Sequence, residues 1–157
     1  MAASGISVVV ISRNEGRELA RTVQNFDDTL PAGAEIIVID DGSTDGSADR
    51  VTRLRSRIKV HRVTNYGVAR ARNLGARQAR GGVIVYADAH LRLPRDWWRP
   101  MLDVLDDPKV GGVAPAITGF HGGRIGYGLT FKDSRLEVRW RRRKPRGPAA
   151  APIIPGC

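Results

Sequence analysis

Asp88 and His90 stand two residues apart at the end of an apolar run, Val83-Ile84-Val85-Tyr86-Ala87. A carboxylate and an imidazole with this spacing project to the same side of an extended segment, where both can ligate one divalent cation. The run itself is β-branched at its first three positions and reads as a strand buried on both faces. The carboxyl ends of strands line the ligand crevice of an open α/β sheet, which would put the pair on the floor of a site. Taken alone, D-x-H is equally a helix cap followed by a surface histidine.

Two other apolar runs stop just as abruptly. Ile6 to Ile11 gives way to Ser12-Arg13-Asn14-Glu15-Gly16, and Glu35 to Ile39 gives way to Asp40-Asp41-Gly42-Ser43. Neither turn is the G-x-G-x-x-G of a dinucleotide fold, and the P-loop lysine motif is absent. A nucleotide bound at these strand ends would need its diphosphate neutralised in another way, and a metal on Asp88 and His90 supplies that. Carboxylate plus imidazole suits Mn²⁺ better than Mg²⁺, which favours an all-oxygen shell.

The elements that must position these groups alternate. Helices are predicted from about Arg17 to Phe26, from Thr44 to Arg55, from Val68 to Arg80 and from Pro94 to Asp107. Strands are predicted at Ile6–Ile11, Glu35–Ile39, Ile58–Val63, at the run ending in Asp88, and at Val110–Ile117, the last loosened by Gly111, Gly112 and Pro115. Such alternation implies right-handed βαβ units and a mostly parallel sheet. Small residues in the third helix, Ala71 and Gly75 among them, permit close packing on that sheet. Trp97 and Trp98 read as core of the fourth helix.

Composition bounds the rest. A chain of 157 residues with 41% apolar content suits one globular domain, with no apolar run long enough to span a membrane. The single cysteine, Cys157, excludes a disulfide framework, and the expected setting is cytoplasmic. The net charge of +10 is concentrated: Lys132 to Arg146 holds eight Lys/Arg against Asp133 and Glu137. The strip from Arg139 to Arg146 is expected to be a flexible loop, either simply solvated or in peripheral contact with an anionic membrane. Nucleic acid is not the expected partner, because Trp140 stands alone without an aromatic platform. Beyond Gly119 the periodicity dissolves and the apolar end at Ile153-Ile154 stays open. The chain therefore reads as truncated at its C-terminus, with homodimerisation through that edge as one way to cover it.

The segments V-V-V-I-S-R-N-E-G…L-A-R-T-V, E-I-I-V-I-D-D-G-S-T-D-G-S and N-Y-G-V-A-R-A-R-N-L-G-A…A-R-G-G-V-I-V-Y-A-D-A-H resemble the nucleotide-binding half of a family 2 glycosyltransferase. The fold implied is GT-A, an α/β, Rossmann-like, mostly parallel sheet flanked by helices. D-A-H in place of the common D-x-D is similar to the polypeptide N-acetylgalactosaminyltransferases, as is R-N-E followed by L-A-R-T-V. The resemblance covers about Ile6 to Ile117. It implies a nucleotide-sugar-binding domain over 1–118 and an incomplete acceptor-side segment over 119–157.

The implied function is transfer of a hexose or N-acetylhexosamine from a UDP-sugar donor to an acceptor the sequence does not identify. Ser12 and Arg13 would border the uracil and ribose, and Asp41 would accept a hydrogen bond from the base. Asn65 and Arg72 would lie against the nucleotide, and Glu15 joins this donor-binding set. Asp88 and His90 would ligate Mn²⁺ (or Mg²⁺) bridging the two phosphates, with His121 a further candidate ligand. Asp40 is as well explained by capping the turn into the second helix. No catalytic base is assigned, and the sugar and its stereochemical outcome stay open. A module that binds nucleotide sugar without turning it over is the competing reading.

Overall fold

The computed structural model describes residues 5–54, 57–119 and 122–154. They fall into two compact units, one up to Asp96 and one from Trp97 onward.

The first unit is a parallel sheet with its crossover helices. β1 (Ile6–Ser12), β2 (Glu35–Asp41), β3 (Ile58–Val63) and β4 (Val83–Asp88) stand in the order β3-β2-β1-β4. The inner pair is in register from Ser7 opposite Glu35 to Ser12 opposite Asp40. Their β-branched runs are the residues a strand buried on both faces requires, and Val8, Val9, Val10 and Ile36 to Ile39 are fully buried. α1 (Gly16–Thr29) lays Leu19, Val23 and Phe26 against this core. α2 (Ser47–Thr52) is shorter than predicted.

β4 departs from its reading as a strand buried on both faces. It is an edge strand of the sheet, and Ile84 and Tyr86 alternate outward at 37% and 41% exposure. Pairing with β1 runs from Ile6 opposite Val83 to Ile11 opposite Asp88.

α3 (Gly67–Gln78) packs as its small residues require. Ala71 is fully buried in a cluster with Val9, Ile37 and Ile39. A Cβ on Gly75 would lie 2.2 Å from Cγ1 of Val9. Alanine normally exceeds glycine in a helix interior by about 1 kcal/mol. Here the overpacking penalty, about 1–3 kcal/mol, opposes that gain. Gly75→Ala is therefore expected to lower the urea midpoint of unfolding, and a raised midpoint would show that β1 yields to the helix.

At the opposite end of the sheet from the strand ends discussed above, Glu35 is a buried hub. It accepts hydrogen bonds from Ser7 Oγ (2.8 Å), the Arg80 backbone N–H (2.8 Å) and Arg80 Nη2 (3.1 Å), with Lys59 Nζ at 3.4 Å. Ser7 Oγ in turn accepts from the Gly81 N–H at 2.9 Å. Burial by itself would raise the Glu35 carboxyl, but these donors together hold it down at about 2.

The second unit contains α4 (Arg99–Leu105) and an antiparallel hairpin of β5 (Leu129–Phe131) and β6 (Val138–Trp140). The predicted fourth helix is confined to α4, which has no fully buried residue, while Trp97 just ahead of it is buried. The predicted strand Val110–Ile117 does not form. Only Ile117 bridges, to Gly126, and 110–116 is irregular, as the helix-breaking Gly111, Gly112 and Pro115 would favour. Nor is the basic strip wholly a loop. Arg139 and Trp140 lie in β6, and Arg141 extends the pairing through backbone hydrogen bonds with Tyr127 and Gly128. No helix among the described residues is long and apolar enough to cross a membrane.

Candidate functional site

The strand order reverses at β1. The chain steps from β1 outward to β2 and β3, then returns so that β4 lies on the other side of β1. The carboxyl ends of β1 and β4 therefore flank a topological switch point, where loops diverge and leave a crevice. Ser12, Asp40, Asp41 and Asp88 all lie at the carboxyl ends of their strands, and Arg13, Glu15 and His90 follow within three residues.

Each of these groups has a definite environment. Ser12 is buried, and its Oγ has no hydrogen-bond partner among the described residues. Arg13 is exposed, and its charge adds to the pull that lowers the Asp41 carboxyl. Asp41 itself is buried and accepts from the backbone N–H groups of Tyr66 (2.7 Å) and Gly67 (2.9 Å) at the start of α3. The Tyr66 amide is the main cause of its lowered pKa. Two carboxylate oxygens carry about four acceptor sites, so Asp41 keeps capacity for another donor. Asp40 accepts from the Ser43 N–H at 3.2 Å, which is the turn-capping role.

Asn65, with φ of 57°, precedes Tyr66 in the turn that Asp41 caps. Arg72 points from α3 to Asp88, Nη2 to Oδ1 at 3.7 Å, and its buried Nε has no partner among the described residues. His90 Nδ1 lies 3.2 Å from Glu15 Oε2. Thus the fold joins Arg72 with Asp88, and Glu15 with His90.

Asp88 and His90 are the two groups here that would have to hold a divalent cation. Asp88 keeps a part-exposed carboxylate whose ion partner lies beyond hydrogen-bond distance. His90 has its Nδ1 engaged by a carboxylate, which leaves Nε2 as the ligating nitrogen, the usual carboxylate–histidine–metal arrangement. Among the described residues no group of three or more His, Cys, Asp or Glu could hold a metal ion. His121 lies outside the described residues.

Several positioning residues escaped the sequence reading. Thr22 Oγ1 donates to the Ala89 carbonyl (2.9 Å) and accepts from the Leu91 N–H (3.0 Å). Asn25, one helical turn on, exchanges two hydrogen bonds with the Leu93 backbone, at 3.1 and 2.7 Å. These fix the segment that carries His90. The signal was a polar pair at i and i+3 on the otherwise apolar face of α1.

The loops after β1 and β2 are also clasped together. The Asn14 N–H donates to Ser43 Oγ (2.9 Å), the Thr44 N–H to Asn14 Oδ1 (2.8 Å) and the Gly16 N–H to Asp45 Oδ2 (2.7 Å). Asn14 and Gly16 adopt left-handed backbones to do this, with φ of 57° and 58°. Such angles favour asparagine and glycine.

Comparison with known proteins gives the family and the fold. The model of the family described as Glycosyl transferase family 2 matches residues 7–156. Human polypeptide N-acetylgalactosaminyltransferase 15 is 30% identical over 96% of this chain and 27% of its own length. An uncharacterized glycosyltransferase of Nostoc is 34% identical over 69% of this chain and 35% of its own. A mannosyltransferase from Pyrobaculum calidifontis, solved in complex with GDP-Man and Mn²⁺, superposes with a TM-score of 0.64. It is 28% identical, over 72% of this chain and 34% of that one. The chain thus spans about a quarter to a third of the length of these relatives.

Proposed function

The chain belongs to glycosyl transferase family 2, and from that premise we propose that it carries the donor site of a metal-dependent transferase using a UDP-sugar. The observation that supports this most is the meeting of Ser12–Glu15, Asp40–Asp41 and Asp88–His90 around one switch point without a glycine loop to cradle phosphate.

In this reading Asp88 and His90 Nε2 hold Mn²⁺ (or Mg²⁺), and Glu15 fixes the imidazole. When bound, the ion supplies positive charge that stabilises the departing diphosphate. Arg72, already directed to Asp88, adds a second cation on the nucleotide side of the site. Asp41 uses its remaining acceptor capacity for the base, and keeps its charge because backbone amides hold it ionised. Ser12 Oγ, buried without a partner, is the group that a bound nucleoside would satisfy. Asn65 precedes Tyr66 in the turn that Asp41 caps. The GDP-Man and Mn²⁺ complex of the archaeal relative supports a nucleotide sugar and a divalent ion. The N-acetylgalactosaminyltransferase relatives support an N-acetylhexosamine as the sugar. The acceptor is left open.

The test is ligand-linked stabilisation. UDP with Mn²⁺ is expected to raise Tm by mass action, about 2.7 kcal/mol of stabilisation at a hundred times Kd, and chelation is expected to remove most of it. An equal rise with EDTA present would overturn the metal assignment, and a larger rise with GDP would overturn the base. Incubation with UDP-N-acetylhexosamine then separates turnover from binding alone.

A further inference from the structure

The second unit concentrates its charge on one closed loop. From Val138 to Cys157 the chain carries six Lys/Arg and no Asp or Glu. The loop that follows β6 is tied at both ends. Arg141 donates its N–H to the Gly128 carbonyl and accepts from the Tyr127 N–H, both at 2.9 Å. The returning chain is held at Ala150, whose carbonyl accepts from Arg141 Nη1 at 2.6 Å, and at Ile153, whose carbonyl accepts from the Leu129 N–H at 3.3 Å. Gly128 makes room for that return, since a Cβ there would lie 3.0 Å from Cβ of Ala151. Pro145 and Pro148 fix φ inside the loop and reduce the conformations open to it.

Ordering this loop holds like charges together. A groove of about 620 Å³ is lined by Thr130 and the segment from Arg139 to Arg146. Thr130 and Arg139 stand opposite each other in the β5–β6 register, and so share one face of the ribbon, while Phe131 and Val138 share the other. Arg139, Arg143, Lys144 and Arg146 are exposed and have neither a hydrogen-bond nor an ion partner among the described residues. The two acids nearest in sequence are engaged within the hairpin. Glu137 pairs with Lys132 at 2.9 Å, and Asp133 accepts from the Arg135 N–H at 2.9 Å. Four unpaired positive charges along one groove repel each other in the empty protein, and a bound anion removes that repulsion.

We propose that this groove binds a soluble ligand carrying two or more clustered phosphate groups. A phosphate monoester carries a charge of about −1.5 to −2, so two of them match the four cations. The groove has the size of a small-ligand site, which favours that compact charge. The planar fork of arginine takes two phosphate oxygens at once. Carboxylates bring one charge each, and an acidic peptide would need four of them in the same space. A nucleic acid also brings one charge per nucleotide. Its bases would find no stacking partner, because Trp140 lies on the other face of the ribbon, packed on Gly126. The site is independent of the donor reading, since all its residues lie in the second unit and its test needs neither nucleotide nor metal.

The experiment is calorimetric titration of the full chain with tripolyphosphate in the presence of EDTA. Tripolyphosphate is expected to bind at least about tenfold more tightly than orthophosphate, and more weakly as salt rises. The triple variant Arg143→Gln, Lys144→Gln, Arg146→Gln alters only exposed side chains without partners. Each exposed ion contact is worth up to about fivefold, so this variant should bind about tenfold to a hundredfold more weakly. Arg50→Gln, Arg53→Gln, Arg77→Gln removes the same charge from exposed positions of the first unit and should bind as the wild type does. Asp88→Ala should also bind as the wild type does. Equal losses in the two triple variants would mean that net charge alone is read, and would overturn the proposal. A loss in Asp88→Ala would overturn it too, by placing the phosphates in the donor site. So would citrate binding as tightly as tripolyphosphate, tighter binding to a single-stranded oligonucleotide or to phosphatidylserine vesicles, or no binding.

Discussion

Asp88→Ala is expected to abolish Mn²⁺-dependent UDP binding while leaving the protein folded. The residue ends an outermost strand, its side chain is 38% exposed, and its ion pair with Arg72 is long at 3.7 Å. Exposed pairs of this kind contribute about 0–1 kcal/mol, so the core does not depend on it. The metal does, since His90 would be the one protein ligand remaining. Removing a group that merely supports a metal ligand costs about 10–100-fold in affinity, and loss of a ligand itself should exceed that. Calorimetric titration of Mn²⁺, then of UDP in its presence, reads the effect directly. Unchanged Mn²⁺ affinity, or loss of the cooperative melt, would mean that Asp88 is a structural cap.

The second large effect is expected at the other end of the sheet. Glu35→Ala removes the acceptor shared by Ser7, Arg80 and Lys59; the two exposed cations can turn to water, but the buried Ser7 hydroxyl and the Arg80 backbone N–H lose their acceptor. A buried donor left without an acceptor costs about 1–3 kcal/mol, against a total domain stability of about 5–15. Glu35→Gln keeps the shape and isolates the charge. With a carboxyl held at about 2 in the folded protein against an ordinary 4.5, the ionised form favours the folded state. That contribution, about 3 kcal/mol, is complete above 4.5 and is lost as pH falls through 2. Urea midpoints measured across this range should fall more steeply for the wild type than for Glu35→Gln. Parallel curves would show that Glu35 titrates alike folded and unfolded.

The parallel sheet was legible because its inner strands are the easiest pattern to read. Val8 to Val10 and Ile36 to Ile39 are continuous β-branched runs that end in polar turns, and those turns carry the candidate site. Strand order is not encoded locally, so β4 was read as buried on both faces when it stands at an edge. At Val110–Ile117 apolar content was mistaken for a strand, although two glycines and a proline deny it a ladder. In the basic strip the error ran the other way. Val138-Arg139-Trp140-Arg141 alternates at period two, yet its charge outweighed that signal. The contacts that hold the site in shape, from Thr22 to Ala89 or from Asn14 to Thr44, join residues 67 and 30 positions apart. No local pattern announces them.

The clasp between the first two loops has a consequence for how such a site can be inherited or rebuilt. Asn14, Gly16, Ser43, Thr44 and Asp45 each supply one half of a hydrogen bond whose other half lies in the neighbouring βα unit. A chimaera that imports either loop alone strands amides that had a designated acceptor, and releases two left-handed residues from the contacts that hold them. The two loops therefore form a single unit of exchange, graftable as a pair though thirty residues separate them in the chain.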